Sequence, residues 1–121
     1  SFKDKLGTKR PVVAVLDTGV DLDHPDLSEA LFRNEKGEVI GWNFMSGPET
    51  AEAKIPKDDD GHGSHVAGII AAQVNDYGIA GVNSNIRIMP VKVMGSTASA
   101  IPSSEAFALG IKFAADNGAD V

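Results

Sequence analysis

A continuous apolar segment near the start of the chain constrains the fold more than any other feature. Pro11–Leu16 contains no polar residue, is rich in β-branched side chains, and ends at Asp17. Apolar runs of this length without alternation are typical of parallel sheets, in which both faces are covered. The sequence therefore predicts a buried parallel strand with Asp17 at its carboxyl end, the edge at which open α/β sheets collect functional groups.

Further strand-like segments occur at residues 39–44 and 86–93. The first alternates weakly between apolar and polar residues, and the second is almost continuously apolar. Pro90 lies inside the second segment, and because proline lacks an N–H donor we expect it at a sheet edge or in a bulge. Residues 119–121 have the composition of the start of a fourth strand.

Helical segments separate these strands. Proline suits a first helical turn, so we expect a short helix at residues 25–31. Residues 62–74 predict a longer amphipathic helix, and a third is predicted to run to Asn117 with Gly118 as its stop. Apolar residues of the two longer helices include Val66, Ile69, Ile70, Phe107, Leu109, Ile111 and Phe113. This alternation implies an α/β three-layer sandwich with a mainly parallel sheet.

Size and composition limit the classes of protein to consider. The 121 residues, 42% of them hydrophobic, suit one globular domain. No apolar run approaches the roughly 18 residues that span a bilayer, so no membrane insertion is expected. Because cysteine is absent, disulfides and thiolate metal sites are excluded.

The charge distribution also carries information. A net charge of −6 argues against a nucleic-acid binder, which usually presents a basic surface. Three consecutive carboxylates, Asp58–Asp60, are interpreted as a solvated loop, with local cation binding as the alternative.

Asp17 is the first candidate for chemistry. It is followed by Thr18 and Gly19, which permit a sharp turn. One interpretation is a carboxylate that merely caps that turn. Another is an aspartic peptidase, because Leu-Asp-Thr-Gly also occurs in enzymes that pair two such carboxylates, and a chain of this size could be half of a dimer.

His62 is the second candidate. It begins the longer helix between Gly61 and Gly63, which leave both sides of the imidazole open. A rigidly held, accessible imidazole is suited to act as a general base. His65 lies on the same helical face, but a zinc peptidase needs histidines at i and i+4 with a glutamate between them, so we expect His65 to point inward instead. A helix-start histidine without a catalytic role is the remaining alternative.

Three ordered segments carry a family resemblance. Val15–Val20, Asp21–Leu27 and His62–Gly68 resemble consecutive motifs of the subtilisin-like serine peptidases (subtilases, peptidase S8). They occur in that family's order, with aspartate before histidine before serine. The similarity extends from Pro11 over nearly the whole chain and implies a subtilisin-like fold and serine endopeptidase activity.

The resemblance implies specific catalytic roles. Asp17 would accept a hydrogen bond from the ring of His62, and His62 would take the proton of a serine hydroxyl. The nucleophilic serine and the oxyanion-hole asparagine would lie beyond Val121. We therefore expect residues 1–121 to be the N-terminal portion of one peptidase domain, inactive without the C-terminal portion. A non-catalytic subtilisin-like binding or structural module is the alternative.

A structural calcium site is also implied by the resemblance. Carboxylate, amide and carbonyl oxygens are the ligands that Ca²⁺ prefers. The ligands would be Asp26, Gln73, Asn75, Tyr77 and Ile79. For residues 73–79 the alternative is an ordinary helix-ending turn.

The resemblance further implies that a polypeptide substrate adds as a strand beside the segment after the third strand. In this chain the segment has no glycine after Gly95, and Pro102 removes a donor, so we expect a narrowed or reshaped groove. A propeptide partner and a secreted or cell-surface location are implied by the family alone. The expected substrate-binding residues are Gly95, Ser96, Thr97, Ala98 and Ser99.

Overall fold

The computed structural model describes residues 10–71, 85–95 and 103–121. Within these ranges three strands alternate with three α-helices and one 3₁₀ turn. The elements are β1 (Val12–Asp17), α1 (Pro25–Ser28), β2 (Trp42–Asn43), the 3₁₀ turn Ala51–Lys54, α2 (His62–Ala71), β3 (Arg87–Lys92) and α3 (Ser103–Asp116).

The sheet is parallel, in the order β1–β3–β2. Asp17 and Lys92 are register partners at the carboxyl ends of β1 and β3. On the other edge of β1, the N–H of Val121 donates to Val12 O at 3.2 Å and the N–H of Ala14 donates to Val121 O at 2.9 Å. This is the bonding pattern of a parallel pair, as expected for the start of a further strand at residues 119–121.

The expectation that Pro90 lies at an edge or bulge is wrong. Pro90 is fully buried in β3, the central strand, opposite Val15. The N–H of Ile88 donates to Ala30 O on the β2 side, so the nitrogen of Pro90, two residues on, faces the same side. Gly41, which directly precedes β2, packs closely against Pro90, and the β2–β3 pairing begins only at Trp42 and Val91.

Two predicted elements are shorter than expected. The strand predicted at 39–44 comprises only Trp42–Asn43, because Val39 pairs antiparallel with Arg33 and the chain turns before β2. The first helix ends at Ser28 and not at residue 31, since Leu31 forms a parallel bridge to Ile88 instead. The third helix ends at Asp116, and Gly118 follows with φ of 98°, as expected for a C-terminal stop.

Helices α2 and α3 lie on opposite faces of the sheet, which confirms the three-layer arrangement. Both bury mainly small residues, and their large apolar side chains are half-buried or exposed. Ile69 is 55% exposed and Ile111 is 62% exposed. Glycine and alanine let the helix axes approach the sheet closely; a Cβ on Gly110 would come within 2.9 Å of Val93 Cγ1. The buried helix residues are Gly63, Ala67 and Ala71 on α2, and Ala106, Gly110 and Ala114 on α3.

None of the helices in the described ranges has the length and apolar character needed to cross a membrane.

Candidate active site

The structure brings Asp17 and His62 into direct contact. Asp17 ends β1, and His62 begins α2, which packs over that end of the strand. The Nδ1 atom of His62 lies 2.9 Å from both Asp17 Oδ1 and Asp17 Oδ2. The two side chains are separated by 45 residues in sequence, so the contact depends on the tertiary fold and on no local turn.

The pair is asymmetric in its exposure to solvent. The Asp17 side chain is 13% exposed, whereas that of His62 is 65% exposed. The hydrogen bond that His62 donates to the Asp17 carboxylate, and then the negative charge of that carboxylate, raise the pKa of His62 above its ordinary value of 6.5. With Nδ1–H directed at the carboxylate, Nε2 is the ring nitrogen left to accept a proton. A carboxylate that fixes the tautomer of an accessible imidazole is suited to general-base chemistry.

The turn after β1 positions both partners. The N–H of Thr18 donates to Asp17 Oδ1 at 2.7 Å, which fixes the rotamer of the carboxylate. The hydroxyl of Thr18 accepts from the N–H of Gly63 at 2.9 Å, which ties the turn to the first residues of α2. Gly63 also packs directly against the carbonyl of Gly19, where a side chain would collide with backbone. Small residues are therefore required where the helix meets the turn.

A second carboxylate, Asp58, supports the same junction. It accepts from the hydroxyls of Thr18 at 2.8 Å and Ser64 at 2.6 Å. It also accepts from the N–H groups of Asp60, Gly61 and Ser64. Partial burial acts to raise its pKa, but the hydrogen bonds from Ser64, Gly61 and Asp60 outweigh this and hold the pKa of Asp58 well below its usual range.

Sequence reasoning missed this role of Asp58, because the Asp58–Asp60 run resembled a solvated loop. An available signal was the position of an aspartate shortly before a helix, where carboxylates commonly bind unpaired N–H groups. The other alternative for the run, local cation binding, has no support among the described residues, which contain no group of three metal-binding side chains.

Lys92, at the end of β3, anchors the loop that precedes His62. Its side chain is only 7% exposed, and Nζ donates to Lys57 O at 2.7 Å. The same ammonium lies 3.2 Å from Asp59 Oδ1. A buried ammonium needs such partners, because an unpaired charge in the interior is strongly unfavourable. Sequence reasoning identified Lys92 only as part of a strand.

The remaining side chains of α2 have other roles than those expected. His65 is exposed, so the prediction that it points inward is wrong for this structure. Ser64 donates to Asp58 and accepts from the N–H of Asp21 at 2.8 Å, so its hydroxyl is already engaged in the junction. The partner of Asp17 is an imidazole; an aspartic peptidase would instead need a second carboxylate at that position.

The predicted substrate and calcium residues are only partly described. Gly95 follows β3, and a Cβ at this position would lie 3.1 Å from both carboxylate oxygens of Asp59. Asp26 lies in the first turn of α1, where its N–H donates to His24 Nδ1 at 3.1 Å. Outside the described residues lie Ser96, Thr97, Ala98 and Ser99 of the substrate segment and Gln73, Asn75, Tyr77 and Ile79 of the calcium set.

Comparison with known proteins gives consistent results. The family model described as the Subtilase family (Peptidase S8) matches residues 8–121. The chain is 46% identical over 114 residues to the cell wall-associated protease of Bacillus subtilis (strain 168), covering 91% of this chain and 11% of that protein. It is 41% identical over 87 residues to the intracellular serine protease of Paenibacillus polymyxa, covering 72% of this chain and 24% of the relative.

A solved structure shows the same fold. Fervidolysin from Fervidobacterium pennivorans, described as a keratinolytic enzyme related to subtilisin, superimposes with a TM-score of 0.69 at 31% identity. The match covers 97% of this chain and 17% of that structure. The chain thus spans a quarter or less of the length of each of these relatives.

Proposed function

This chain belongs to the subtilase family, and we propose that it supplies the aspartate and histidine of a serine endopeptidase, Asp17 and His62. The observation that carries the proposal is the 2.9 Å contact of His62 Nδ1 with the Asp17 carboxylate at the carboxyl edge of a parallel sheet. Relatives named as proteases support the reaction class.

The proposed chemistry follows from the geometry of the pair. Asp17 holds the Nδ1–H tautomer, so Nε2 of His62 takes the proton when a serine hydroxyl attacks a peptide carbonyl. The carboxylate then stabilises the imidazolium, and His62 returns the proton to the leaving amine. The serine and the oxyanion-hole donor would come from a C-terminal portion of the domain, without which residues 1–121 would be inactive.

The test is fluorophosphonate labelling of the full-length protein, read by intact mass and by hydrolysis of a peptide substrate. We expect one adduct, and we expect His62→Ala and Asp17→Asn to suppress labelling. Asp116→Asn removes an exposed carboxylate at the end of α3 and is the control. Inhibition by pepstatin together with resistance to the fluorophosphonate would instead indicate an aspartic peptidase.

A second candidate function is a non-catalytic subtilisin-like binding or structural module. It is favoured by the segment after β3, where Ser96–Pro102 contains no glycine and includes a proline. A full-length protein that folds cooperatively but hydrolyses no peptide would support this candidate. Replacing Ala98 by glycine and recovering cleavage would argue for a peptidase with a narrowed groove.

We further propose that polypeptide substrate adds as a strand along Gly95–Ser99. Gly95 has no side chain to block a substrate backbone, and the Asp59 carboxylate lies close to it: a Cβ at this position would be 3.1 Å from both carboxylate oxygens. Secretion or cell-surface exposure and processing of a propeptide are proposals from family membership. One relative is named as cell wall-associated and another as intracellular, so fractionation of the native organism is the test.

A structural calcium ion is proposed at Asp26 with Gln73, Asn75, Tyr77 and Ile79. The donor set is oxygen-rich and suits Ca²⁺. Its chemistry would be structural: the ion would tie α1 to the segment after α2. Asp26 is the one proposed ligand within the described residues, and a comparison of Asp26→Asn with Asp23→Asn tests whether it binds the ion.

A further inference from the structure

We propose that Asp58 is a positioning residue, which holds the first turn of α2 against the turn after β1 and thereby sets the geometry of the Asp17–His62 pair. This inference rests on the proposed function. Asp58 has no hydrogen bond to the imidazole among its contacts, so it would act through Thr18 and the helix backbone.

The first argument is the number and direction of the hydrogen bonds. Oδ1 accepts from Thr18 Oγ1 at 2.8 Å and from the N–H groups of Asp60 and Gly61 at 2.9 and 2.8 Å. Oδ2 accepts from the N–H and hydroxyl of Ser64 at 2.9 and 2.6 Å. One carboxylate therefore satisfies helix-start N–H groups that have no partner within the helix.

The second argument is the orientation of the Thr18 hydroxyl. Because Thr18 gives its hydroxyl proton to Asp58, its oxygen lone pairs are directed elsewhere, and one accepts from the N–H of Gly63. The residue adjoining Gly63 is His62, and the N–H of Thr18 holds Asp17 Oδ1. A chain of hydrogen bonds through Asp58, Thr18 and Gly63, called the relay below, thus connects Asp17 with His62 without contacting the imidazole.

The third argument is charge. The negative carboxylate lies at the N-terminal end of α2, where the helix dipole favours an anion. An asparagine at position 58 would retain one acceptor oxygen but would present an NH₂ group. In either orientation the NH₂ group faces donors: the N–H and hydroxyl of Ser64, or the hydroxyl of Thr18 with the N–H groups of Asp60 and Gly61. Asp58→Asn is therefore a nearly isosteric change that breaks one half of the hydrogen-bond network through which Asp58 holds the helix start against the turn.

The experiment uses the full-length protein and separates position from charge. Asp60→Asn is the matched control: Asp60 also raises the pKa of His62 through its charge but is not an acceptor in the relay. We expect Asp58→Asn to lower kcat about 10-fold while KM stays within about twofold. A loss of about this size is typical when the hydrogen-bond partner of a metal-binding side chain is removed. We expect Asp60→Asn to change kcat by less than about twofold, since it alters charge alone. Equal kcat losses in the two variants would overturn the proposal.

A second pair of variants applies if Asp58→Asn fails to fold. Thr18→Val breaks the relay without changing charge, and Thr18→Ser restores the hydroxyl. The readout is the ¹⁵N NMR signal of His62 Nδ1–H, which reports its hydrogen bond to Asp17. We expect this signal to be lost or to exchange faster in Thr18→Val and to return in Thr18→Ser; an unchanged signal in Thr18→Val would overturn the proposal.

The same spectra distinguish this proposal from the proposed function. Asp17→Asn should abolish the signal of His62 if the pair exists as described. If the signal persists in Asp17→Asn, the proposed catalytic pair is wrong. If Asp17→Asn abolishes the signal and the Asp58 and Thr18 variants leave it intact, only the positioning role fails.

Discussion

Gly63 packs against the backbone carbonyl of Gly19 so closely that no side-chain carbon fits between them. Gly19 has a positive φ of 96° and itself lies against the carbonyl groups of Pro56 and Lys57. Three backbone segments therefore meet without intervening side chains at the point where α2 begins. The close approach lets a helix-start histidine reach a carboxylate on the adjacent strand end.

We expect Gly63→Ala to disrupt this junction. The added methyl group would collide with backbone, which cannot rotate away, so α2 must shift. Overpacking of this kind costs about 1–3 kcal/mol of unfolding free energy. A displacement of even 1 Å at the reacting groups can cost about 100-fold in rate. Thermal unfolding and kcat/KM of the full-length protein measure the two effects.

Gly68→Ala is the matched control on the same helix. A Cβ at Gly68 would meet no atom within 4 Å. Alanine in a helix interior is favoured over glycine by ~0.5–1 kcal/mol, so we expect a slightly higher melting temperature and unchanged turnover. A Gly63→Ala variant as stable and as active as Gly68→Ala would contradict the packing argument.

The positions of Asp17 and His62 were predictable because each depends on a local signal. An apolar run marks β1, and a glycine-flanked histidine followed by a helical pattern marks the start of α2. Strand–helix alternation then places both at one edge of a parallel sheet. Their functional assignment required the family resemblance, since neither motif alone excludes an aspartic peptidase or a turn-capping carboxylate.

The supporting contacts were not predictable from local patterns. Asp58 and Thr18 are 40 residues apart, and no periodicity relates them. Pro90 was misplaced because the central position of β3 and the close contact of Pro90 with Gly41 are known only from the tertiary structure. The core face of α2 was misjudged because close packing selects glycine and alanine, whereas hydropathy patterns give more weight to large residues such as Ile69.

Calcium dependence tests the proposed metal ligand Asp26. If Ca²⁺ binds only the folded protein, it stabilises by about 2.7 kcal/mol at 100 times its dissociation constant. We expect Asp26→Asn to reduce the increase in melting temperature between EDTA and saturating Ca²⁺. Asp23→Asn, a neighbouring exposed carboxylate outside the proposed set, should retain it. Equal responses in the two variants would exclude Asp26 as a ligand.

Replacement of Lys92 tests whether the buried ammonium anchors the loop before His62. We expect Lys92→Met to lower the unfolding free energy by about 1–2 kcal/mol, because Lys57 O and Asp59 lose a donor but lie near enough to the surface to regain water. Lys112→Met removes an exposed cation paired with Asp116 and should leave stability almost unchanged, because an exposed ion pair contributes little. Chemical denaturation measures both, and equal values would show that burial of Lys92 contributes nothing.

The pH profile of kcat/KM tests the electrostatic coupling of Asp17 and His62. General-base catalysis needs neutral His62, and Asp17 raises the pKa of His62 above 6.5, so we expect the acidic limb to lie above that pH. In Asp17→Asn the largest two causes of the shift disappear. The limb should therefore move to lower pH while kcat falls about 10⁴-fold, the scale for replacement of a triad carboxylate.

The contribution of the Asp17–His62 pair to folding stability should also depend on pH, but it should be largest at low pH, where activity is lowest. A raised folded-state pKa means that the pair stabilises the fold fully below the unfolded pKa of His62 and loses this contribution as pH rises through the folded value. The melting temperature of wild type relative to Asp17→Asn should therefore decline across that window, while activity rises. A difference in melting temperature that is constant with pH, together with an acidic limb that does not move in Asp17→Asn, would mean that the carboxylate positions the imidazole without setting its protonation.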